Sequence, residues 1–337
     1  MTRIEAPARL HLGFLDPSAS RGRRFGSIGL ALDNIATVVN AVPYAGFDVC
    51  GAMHERAREH AESVIAHYAL PGALRVEIEQ AIPAHVGLGS GTQLALAVGS
   101  AVLEASGVSA SAAELAGLLG RGKRSGIGLG LFEQGGLIVD GGHGPHTMSP
   151  PILTRLAFPT AWRVILIFDC IDQGLSGRAE SAAFQALAPL PQAQAARICH
   201  ATLMELLPAL IEAEFESFSR AIAEVQAIVG DHFAAVQSGR FASPRVQRAV
   251  AHAQRVCGLS GVGQSSWGPT AFVFAGSAAV AEAVVAELRA ARCRRNLSSP
   301  APAHERAGCL DSHLVGVRHA TSSSPAHLQP DQIRQPV

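Results

Sequence analysis

The segment PAHVGLGSGTQ, residues 83–93, runs directly into the apolar stretch LALAV, residues 94–98. Its glycines at 87, 89 and 91 let backbone N–H groups approach an anion without obstruction by a Cβ atom. Ser90 and Thr92 add hydroxyl groups, and the helix that follows directs the positive end of its dipole at the same place. This segment, the glycine loop, therefore predicts a cradle for phosphate or pyrophosphate. It is not a Walker loop, because no Gly-Lys-Ser/Thr follows, and a plain loop that caps a packed helix is the alternative.

Strand and helix patterns flank the glycine loop. Residues 1–50 alternate as strands around a polar connection, ASRGRRFG, and residues 55–70 follow a helical period that ends at Pro71-Gly72. RVEIEQAI alternates as a strand just before the loop. After the loop come two predicted helices and a second glycine-dense segment, residues 123–142.

The second half of the chain begins after a proline-rich stretch, residues 144–162, which predicts a domain boundary. A short buried strand, RVILIFDC, precedes helices from about 178 to 236 and near 243–257, a strand segment and one more helix. This order predicts an α+β protein with an N-terminal domain, 1–155, and a C-terminal domain, 156–295. Residues 296–337 have no sustained period and are rich in Pro and Ser, which predicts a disordered tail with no assigned function.

Composition limits the classes of function. The chain has 337 residues, with 27 Lys plus Arg and 27 Asp plus Glu, and its net charge is zero. This balance argues against binding of nucleic acid or an anionic membrane by the whole surface, and leaves room for a local basic pocket. The six cysteines include no CxxC pair, and neither a signal peptide nor a membrane span is visible. We therefore expect reduced thiols and a cytoplasmic location.

Four ordered motifs carry a resemblance to a known family. They are RLHLGFLD (9–16), RRFGSIGLAL (23–32), GLGSGTQLALA (87–97) and GQSSWGPT (263–270). The glycine loop resembles the second motif of the GHMP kinase superfamily, and the four together are similar to its β-ribofuranosylaminobenzene 5′-phosphate synthase branch over residues 3–295. The resemblance implies a two-domain GHMP-kinase-like fold and a homodimer.

The implied reaction joins phosphoribosyl pyrophosphate to 4-hydroxybenzoate or 4-aminobenzoate and releases CO2 and pyrophosphate. It is an early step towards methanopterin-type one-carbon carriers. Kinases of this fold often carry Ser-Gly-x-Asp after the second motif, whereas this chain has Ser125-Gly126-Ile127-Gly128. Glycine accepts no proton, so an ATP-dependent small-molecule kinase is the less favoured alternative. A catalytically silent protein that binds a phosphorylated metabolite is a third.

Catalytic roles are expected for three residues of the first two motifs. His11 and Asp16 flank a strand-to-turn junction and would handle protons or orient Mg2+ through water. Arg24, with Arg23 as a binding partner, would clamp phosphate or carboxylate through its guanidinium group. The structural alternatives are a buried histidine, a capping aspartate and a solvated arginine pair.

Further residues are expected to bind substrate. The 5′-phosphate would be held by Arg124 and Ser125, which lie next to Arg121 and Lys123. The alternative is that these basic residues only stabilise the C-terminal end of a helix, where its dipole is negative. Trp267 would stack on the benzoate, or is a tryptophan buried in a turn. The complete set of expected binding residues is Arg23, Gly87, Gly89, Ser90, Gly91, Thr92, Gln93, Arg124, Ser125, Gln264, Ser265, Ser266 and Trp267.

Mg2+ is the expected cofactor, because pyrophosphate leaving groups usually require a hard cation that keeps few protein ligands. Its ligands cannot be assigned from the sequence. Glu133 and Asp140 lie in the second glycine-dense segment, and one of these two carboxylates would reach a metal.

Overall fold

The computed structural model describes residues 1–169, 171–172, 174–175, 177–237, 239–298 and 310–315, with side chains up to residue 291. The strands are β1 (Thr2–Asp16), β2 (Phe25–Pro43), β3 (Phe47–Gly51), β4 (Leu74–Gln80), β5 (Leu137–Asp140), β6 (Ile152–Leu156), β7 (Arg163–Asp169), β8 (Val262–Gln264), β9 (Ala271–Ala275) and β10 (Leu310–Val315). The helices are α1 (His54–His67), α2 (Ser90–Ala105), α3 (Ala112–Leu118), α4 (Ile127–Glu133), α5 (Gly177–Ala186), α6 (Gln192–Ala201), α7 (Leu207–Glu212), α8 (Phe215–Phe233), α9 (Pro244–Cys257) and α10 (Ala278–Ser298), with a π-helical turn at Thr202–Leu206.

The first sheet has the order β3-β4-β2-β5-β6, and β1 pairs with β2 along most of its length. Strand β2 is long enough to pair with β5 near its start and with β4 near its end. Strand β4 buries Leu74, Val76 and Ile78 and exposes the residues between them, as the alternation predicts. Helix α2 is buried almost all round from Gln93 to Leu103, because α1, α3, α4 and the sheet surround it.

The second sheet has the order β10-β7-β9-β8 and packs against α9 and α10. Strand β7 is apolar on both faces: Val164, Ile165, Leu166 and Ile167 are all buried. A core of aromatic and aliphatic side chains joins β1 and β2 of the first sheet to β7, β9 and α8 of the second half. The α+β architecture predicted from the sequence is therefore confirmed. Which residues divide into independent domains stays a prediction.

The tail prediction is wrong for six residues. Strand β10 pairs antiparallel with β7 from Leu310↔Asp169 to Val315↔Val164. The segment LDSHLV is too short to stand out as a periodic pattern, and it becomes a strand because the edge of β7 offers unpaired backbone groups. Helix α10 also continues past the predicted boundary, to Ser298. The rest of the predicted tail, 299–309 and 316–337, lies outside the described residues.

Within the described chain, none of the helices combines the length and the apolar character needed to cross a bilayer. The cysteines that the structure describes with side chains, Cys50, Cys199 and Cys257, are free thiols.

Candidate active-site cleft

A cleft of about 590 Å3 lies over the N-terminal end of α2. The glycine loop forms one wall, the connection between α3 and α4 a second, and the motif around Trp267 a third. Its lining residues are Arg9, His11, Phe14, Arg56, His85, Gly87, Gly89, Ser90, Gly91, Thr92, Gly120, Arg121, Gly122, Lys123, Arg124, Ser125, Ile127, Gly128, Leu175, Gly177, Glu180, Ser181, Ser266 and Trp267.

The glycines of the loop differ in what they do. Gly87 has φ +82°, and a Cβ atom there would lie 2.4 Å from the carbonyl oxygen of Ser265. Gly89 has φ +81°, and its Cβ would meet the Arg9 side chain at 3.0 Å. Gly91 is helical, and its Cβ would lie 3.6 Å from an Arg121 guanidinium nitrogen and 3.9 Å from one of Arg56. Gly87 and Gly89 therefore let the chain pack, whereas Gly91 borders a pair of cations.

Arg9, on β1, stabilises the glycine loop through hydrogen bonds, a role that was not predicted from the sequence. Its Nη1 donates to the carbonyl oxygen of Gly87 at 2.9 Å, and its backbone N–H donates to that of Leu88 at 3.1 Å. Burial lowers the pKa of Arg9 to about 10, with Glu180 opposing the shift, so the group is still charged at neutral pH. The available signal was a lone charged residue inside an apolar stretch of β1.

Arg56 and Arg121 form a second cationic group with His60. An Arg121 Nη2 lies 3.4 Å from Nε2 of His60, and burial, Arg121 and Arg56 together lower the pKa of His60 to about 4. His60 is therefore neutral at pH 7 and accepts from Arg121. Within the described chain neither arginine has a carboxylate at salt-bridge distance. Two guanidinium groups at the start of α2 with no anion to balance them are typical of a phosphate site.

A single carboxylate, that of Glu180, lines the described cleft. It lies 2.8 Å from Nη1 of Arg124, whose guanidinium group sits 5.6 Å from the centre of the Phe184 ring. Burial raises the pKa of Glu180, opposed by Arg124 and Arg9. With Arg9, Arg56, Arg121 and Lys123 beside this pair, the cleft carries a strong excess of positive charge although the chain as a whole is neutral.

The opposite side of the cleft is aromatic. Trp267 is 2% exposed, stacks on Phe233 at 4.0 Å, and meets Phe184 edge-on at 5.0 Å. Phe233 covers one face of the Trp267 indole, and stacking of a benzoate on this residue stays a prediction. His11 is 3% exposed, with its ring 4.3 Å from that of Phe14. Burial, followed by Arg9, lowers its pKa well below the usual value, so His11 is neutral at pH 7.

Asp16, Arg23 and Arg24 do not line this cleft, and their expected contact with substrate stays a prediction. Asp16 accepts hydrogen bonds from the backbone N–H groups of Ser18 and Ser20, closing its own turn. Arg23 and Arg24 donate to backbone carbonyl oxygens of neighbouring loops. These bonds run from Arg23 to Gly141 and Gly142 at 2.7 Å, and from Arg24 to Pro17 at 2.9 Å.

Three further expected residues hold the walls of the cleft together instead of facing it. Nε2 of Gln93 donates to the carbonyl oxygen of Gly128 at 2.9 Å. The Ser265 hydroxyl accepts from the backbone N–H of His11 at 3.0 Å and donates to the carbonyl oxygen of Gly87 at 2.7 Å. The Gln264 side chain accepts from the backbone N–H of Ala242 at 2.7 Å. Ser265 thus fastens the segment GQSSWGPT, residues 263–270, to both β1 and the glycine loop.

The position at which many kinases of this fold carry a carboxylate is Gly128, which lines the cleft and packs tightly against α2. A Cβ atom at Gly128 would lie 3.0 Å from Cγ2 of Thr92, where α4 meets α2. Asp140, the nearest buried carboxylate along the sequence, accepts from the Ser125 hydroxyl at 3.1 Å and from the backbone N–H of Gly126 at 2.8 Å. Asp140 therefore starts α4 and orients Ser125, and does not line the cleft.

The residues described do not form a metal cage: among them no group of three or more His, Cys, Asp or Glu side chains is placed to share an ion. Glu133 and Asp140, the carboxylates expected to reach a metal, both lie away from the cleft lining.

Comparison with known proteins agrees with this arrangement. A family model described as the GHMP kinases N terminal domain matches residues 49–132. The β-ribofuranosylphenol 5′-phosphate synthase of Methanothermobacter thermautotrophicus is 34% identical over 291 residues, covering 80% of this chain and 87% of that protein. The synthase of the same name from Archaeoglobus fulgidus is 38% identical over 239 residues, covering 67% of this chain and 75% of that protein.

Among solved structures, a mevalonate kinase superposes with a TM-score of 0.67 at 11% identity, covering 95% of this chain and all of that one. A 4-(cytidine 5′-diphospho)-2C-methyl-D-erythritol kinase gives a TM-score of 0.58 at 20% identity, covering 94% and 99%. These structural matches confirm the expected GHMP-kinase-like fold.

Proposed function

The chain belongs to the β-ribofuranosylphenol 5′-phosphate synthase family, and we propose that it joins phosphoribosyl pyrophosphate to a 4-substituted benzoate with release of CO2 and pyrophosphate. The observation that carries this proposal is the concentration of Arg9, Arg56, Arg121, Lys123 and Arg124 in a cleft whose described lining has one carboxylate. A donor with a pyrophosphate at one end and a phosphate at the other requires such an excess of positive charge. The third alternative, a silent binding protein, lacks comparable support, since the curated relatives are named as synthases.

We propose that the donor lies along the basic wall of the cleft. We place its pyrophosphate at the first turn of α2, where Arg56 and Arg121 face Gly91. Its 5′-phosphate then lies towards Lys123 and Arg124. As the bond from ribose C1 to the pyrophosphate oxygen breaks, C1 gains oxocarbenium character and the leaving group gains negative charge. The fixed guanidinium groups and the helix N-terminus stabilise that charge without having to reorganise.

A kinase reaction is disfavoured by Gly128. The solved neighbours that are kinases share 20% identity or less with this chain and speak for the fold alone. A Cβ atom at position 128 would make a tight contact of 3.0 Å with Cγ2 of Thr92. Glycine itself carries no group that could take the proton from an acceptor hydroxyl.

We propose that Mg2+ binds in this cleft together with the donor and not to the protein alone. The lining carboxylate Glu180 is already paired with Arg124 at 2.8 Å, which leaves the pyrophosphate oxygens as the main ligands. When bound, the ion would add positive charge beside the leaving group. We expect activity to fall on chelation with EDTA and to return with added Mg2+.

The relatives' name contains phenol, so we propose 4-hydroxybenzoate as the acceptor and methanopterin-type carriers as the eventual product.

We further propose a homodimer, for which the exposed apolar side chains Leu203, Met204 and Ile211 offer a surface. A cytoplasmic location is consistent with the free thiols. Light scattering of the purified chain tests the dimer.

The decisive assay supplies the purified protein with phosphoribosyl pyrophosphate and carboxyl-labelled 4-hydroxybenzoate and measures CO2 and pyrophosphate. We expect equal amounts of both. ADP formation from ATP with sugar, mevalonate-like or amino-alcohol acceptors, together with no CO2 from either benzoate, would replace the synthase by the kinase.

A further inference from the structure

Two buried nitrogen atoms in the cleft wall have no partner. They are Nε2 of His11 and Nε1 of Trp267, and neither makes a hydrogen bond to any part of the chain that the structure describes. Both side chains are at least 97% buried, and both line the cleft. A buried polar group without a partner destabilises the fold, so such atoms point to a ligand that completes them.

The fold brings these two residues to the same part of the wall. The backbone N–H of Ser266 donates to the carbonyl oxygen of His11 at 3.4 Å, and the Ser265 hydroxyl accepts from the His11 backbone at 3.0 Å. The turn that carries Trp267 is therefore fastened to β1 at His11. Phe14 lies 4.3 Å from the His11 ring and also lines the cleft, so the surroundings suit a flat aromatic ligand.

The two nitrogens differ in hydrogen-bonding character. An indole N–H only donates. The neutral imidazole of His11 carries one proton, and with that proton on Nδ1 its unpaired Nε2 is an acceptor, which is the tautomer that the proposal below requires. This corner of the cleft thus offers one donor and one acceptor, both desolvated.

Resting on the proposed function, we propose that the Trp267 N–H and His11 Nε2 together hold the para substituent of the acceptor and select a phenol over an aromatic amine. A phenolic oxygen accepts one hydrogen bond and its O–H donates another, which satisfies both nitrogens. An aromatic amine donates, but its lone pair is delocalised into the ring, so it leaves the indole N–H unpaired. A site that binds a hydroxyl group in this way rejects an analogue that cannot pair with it.

His11 then has a chemical role as well. As the ring carbon that bears the carboxylate forms its bond to ribose C1, the pyrophosphate leaves with the electron pair of the C1–O bond. The phenol becomes a strongly acidic protonated dienone, and its proton passes to Nε2 of His11. CO2 departs from the same ring carbon, the electrons of the broken C–C bond restore the aromatic ring, and His11 returns the proton to the phenolate oxygen. A neutral imidazole of low basicity suffices, because the group that it deprotonates is acidic only in mid-reaction.

The test compares kcat/KM for 4-hydroxybenzoate and 4-aminobenzoate in Trp267→Phe, which keeps an aromatic ring against Phe233 and removes the N–H. We expect the wild-type protein to prefer the phenol at least 100-fold, and Trp267→Phe to reduce that preference at least tenfold. The matched control is Trp162→Phe, a buried tryptophan that does not line the cleft. An unchanged preference in Trp267→Phe, or an equal change in the control, would overturn the proposal.

His11→Gln separates proton transfer from binding. Glutamine still forms a hydrogen bond but takes no proton, so we expect kcat to fall at least 100-fold while KM for the phenol changes less than fivefold. The control is His232→Gln, at a half-buried histidine outside the cleft. A kcat within threefold of wild type removes His11 from the reaction.

Failure of the synthase assignment itself is recognised by calorimetric titration with 4-hydroxybenzoate alone. If no turnover occurs with either acid, tenfold weaker binding to Trp267→Phe than to wild type still supports this subsite. Equal binding to the two proteins refutes it.

Discussion

Arg121→Gln should weaken donor binding and, at the same time, leave the unliganded protein as stable as before or more stable. The guanidinium nitrogens of Arg121 and Arg56 lie 3.6 and 3.9 Å from one point beside Gly91, so the two groups are at most about 7.5 Å apart. At effective dielectric constants of 20 to 40, two like charges at that distance repel by about 1 to 2 kcal/mol. Removing one charge relieves this repulsion.

The same change removes a charge-assisted contact to pyrophosphate, worth about 1.5 to 3 kcal/mol, or about 10- to 150-fold in kcat/KM for phosphoribosyl pyrophosphate. Thermal unfolding without ligand and initial rates over a range of donor concentrations measure the two effects. Arg197→Gln, at an exposed arginine paired with Glu224, is the control and should change neither kcat/KM nor binding. If Arg121→Gln lowers the unfolding temperature and leaves donor kinetics intact, Arg121 is a structural residue and the pyrophosphate lies elsewhere.

Three other changes test the parts around this cleft. Gly87→Ala should destabilise the fold, because its Cβ would lie 2.4 Å from the Ser265 carbonyl oxygen. Gly91→Ala should instead fold normally and lose affinity for the donor. Thermal unfolding and donor titration distinguish these two effects. His60→Gln should make stability less dependent on pH between about pH 6.5 and pH 4, as measured by acid unfolding. The pKa of His60 in the folded protein is lowered to about 4, so in this range only the unfolded state takes up a proton. The wild-type protein therefore loses stability as the pH falls, and the variant without this histidine loses less. Ending the chain after Ser298 should lower the unfolding temperature, because it removes the strand that pairs with β7; an unchanged midpoint would show that this pairing adds nothing.

Much of the fold was readable from the sequence because each element follows a simple local rule. The alternation of β4, the apolar stretch of β7 and the Pro71-Gly72 stop after α1 all predict what the structure has. The six residues of β10 were not readable, because a strand that short is defined by the free edge that it meets.

The site was only partly predictable. Residues on the loop that starts α2 and on the segment 121–125 reach the cleft as expected, because a helix N-terminus and a basic connection carry their chemistry locally. Arg9, Arg56 and Glu180 were missed, since each reaches the cleft from a different element and no local spacing relates them. The side chains of Asp16 and Arg24 bond within or beside their own turn, and their catalytic roles stay predictions.

The glycine loop shows why the function cannot be derived from such a motif alone. Its backbone and the dipole of α2 favour an anion in any member of this fold, and they do not decide which bond breaks. That decision depends on what surrounds the anion. Gly128, which packs against Thr92, has no side chain to act as a kinase carboxylate, while Arg56 and Arg121 add charge for a leaving pyrophosphate. Across the cleft the side chains of His11 and Trp267 are neutral, buried and unpaired in the described chain, with Arg9 close to His11, so this wall adds hydrogen-bonding groups to the charge of the arginines. A cationic cleft with such an aromatic wall suits transfer from a polyanionic donor to an aromatic acceptor.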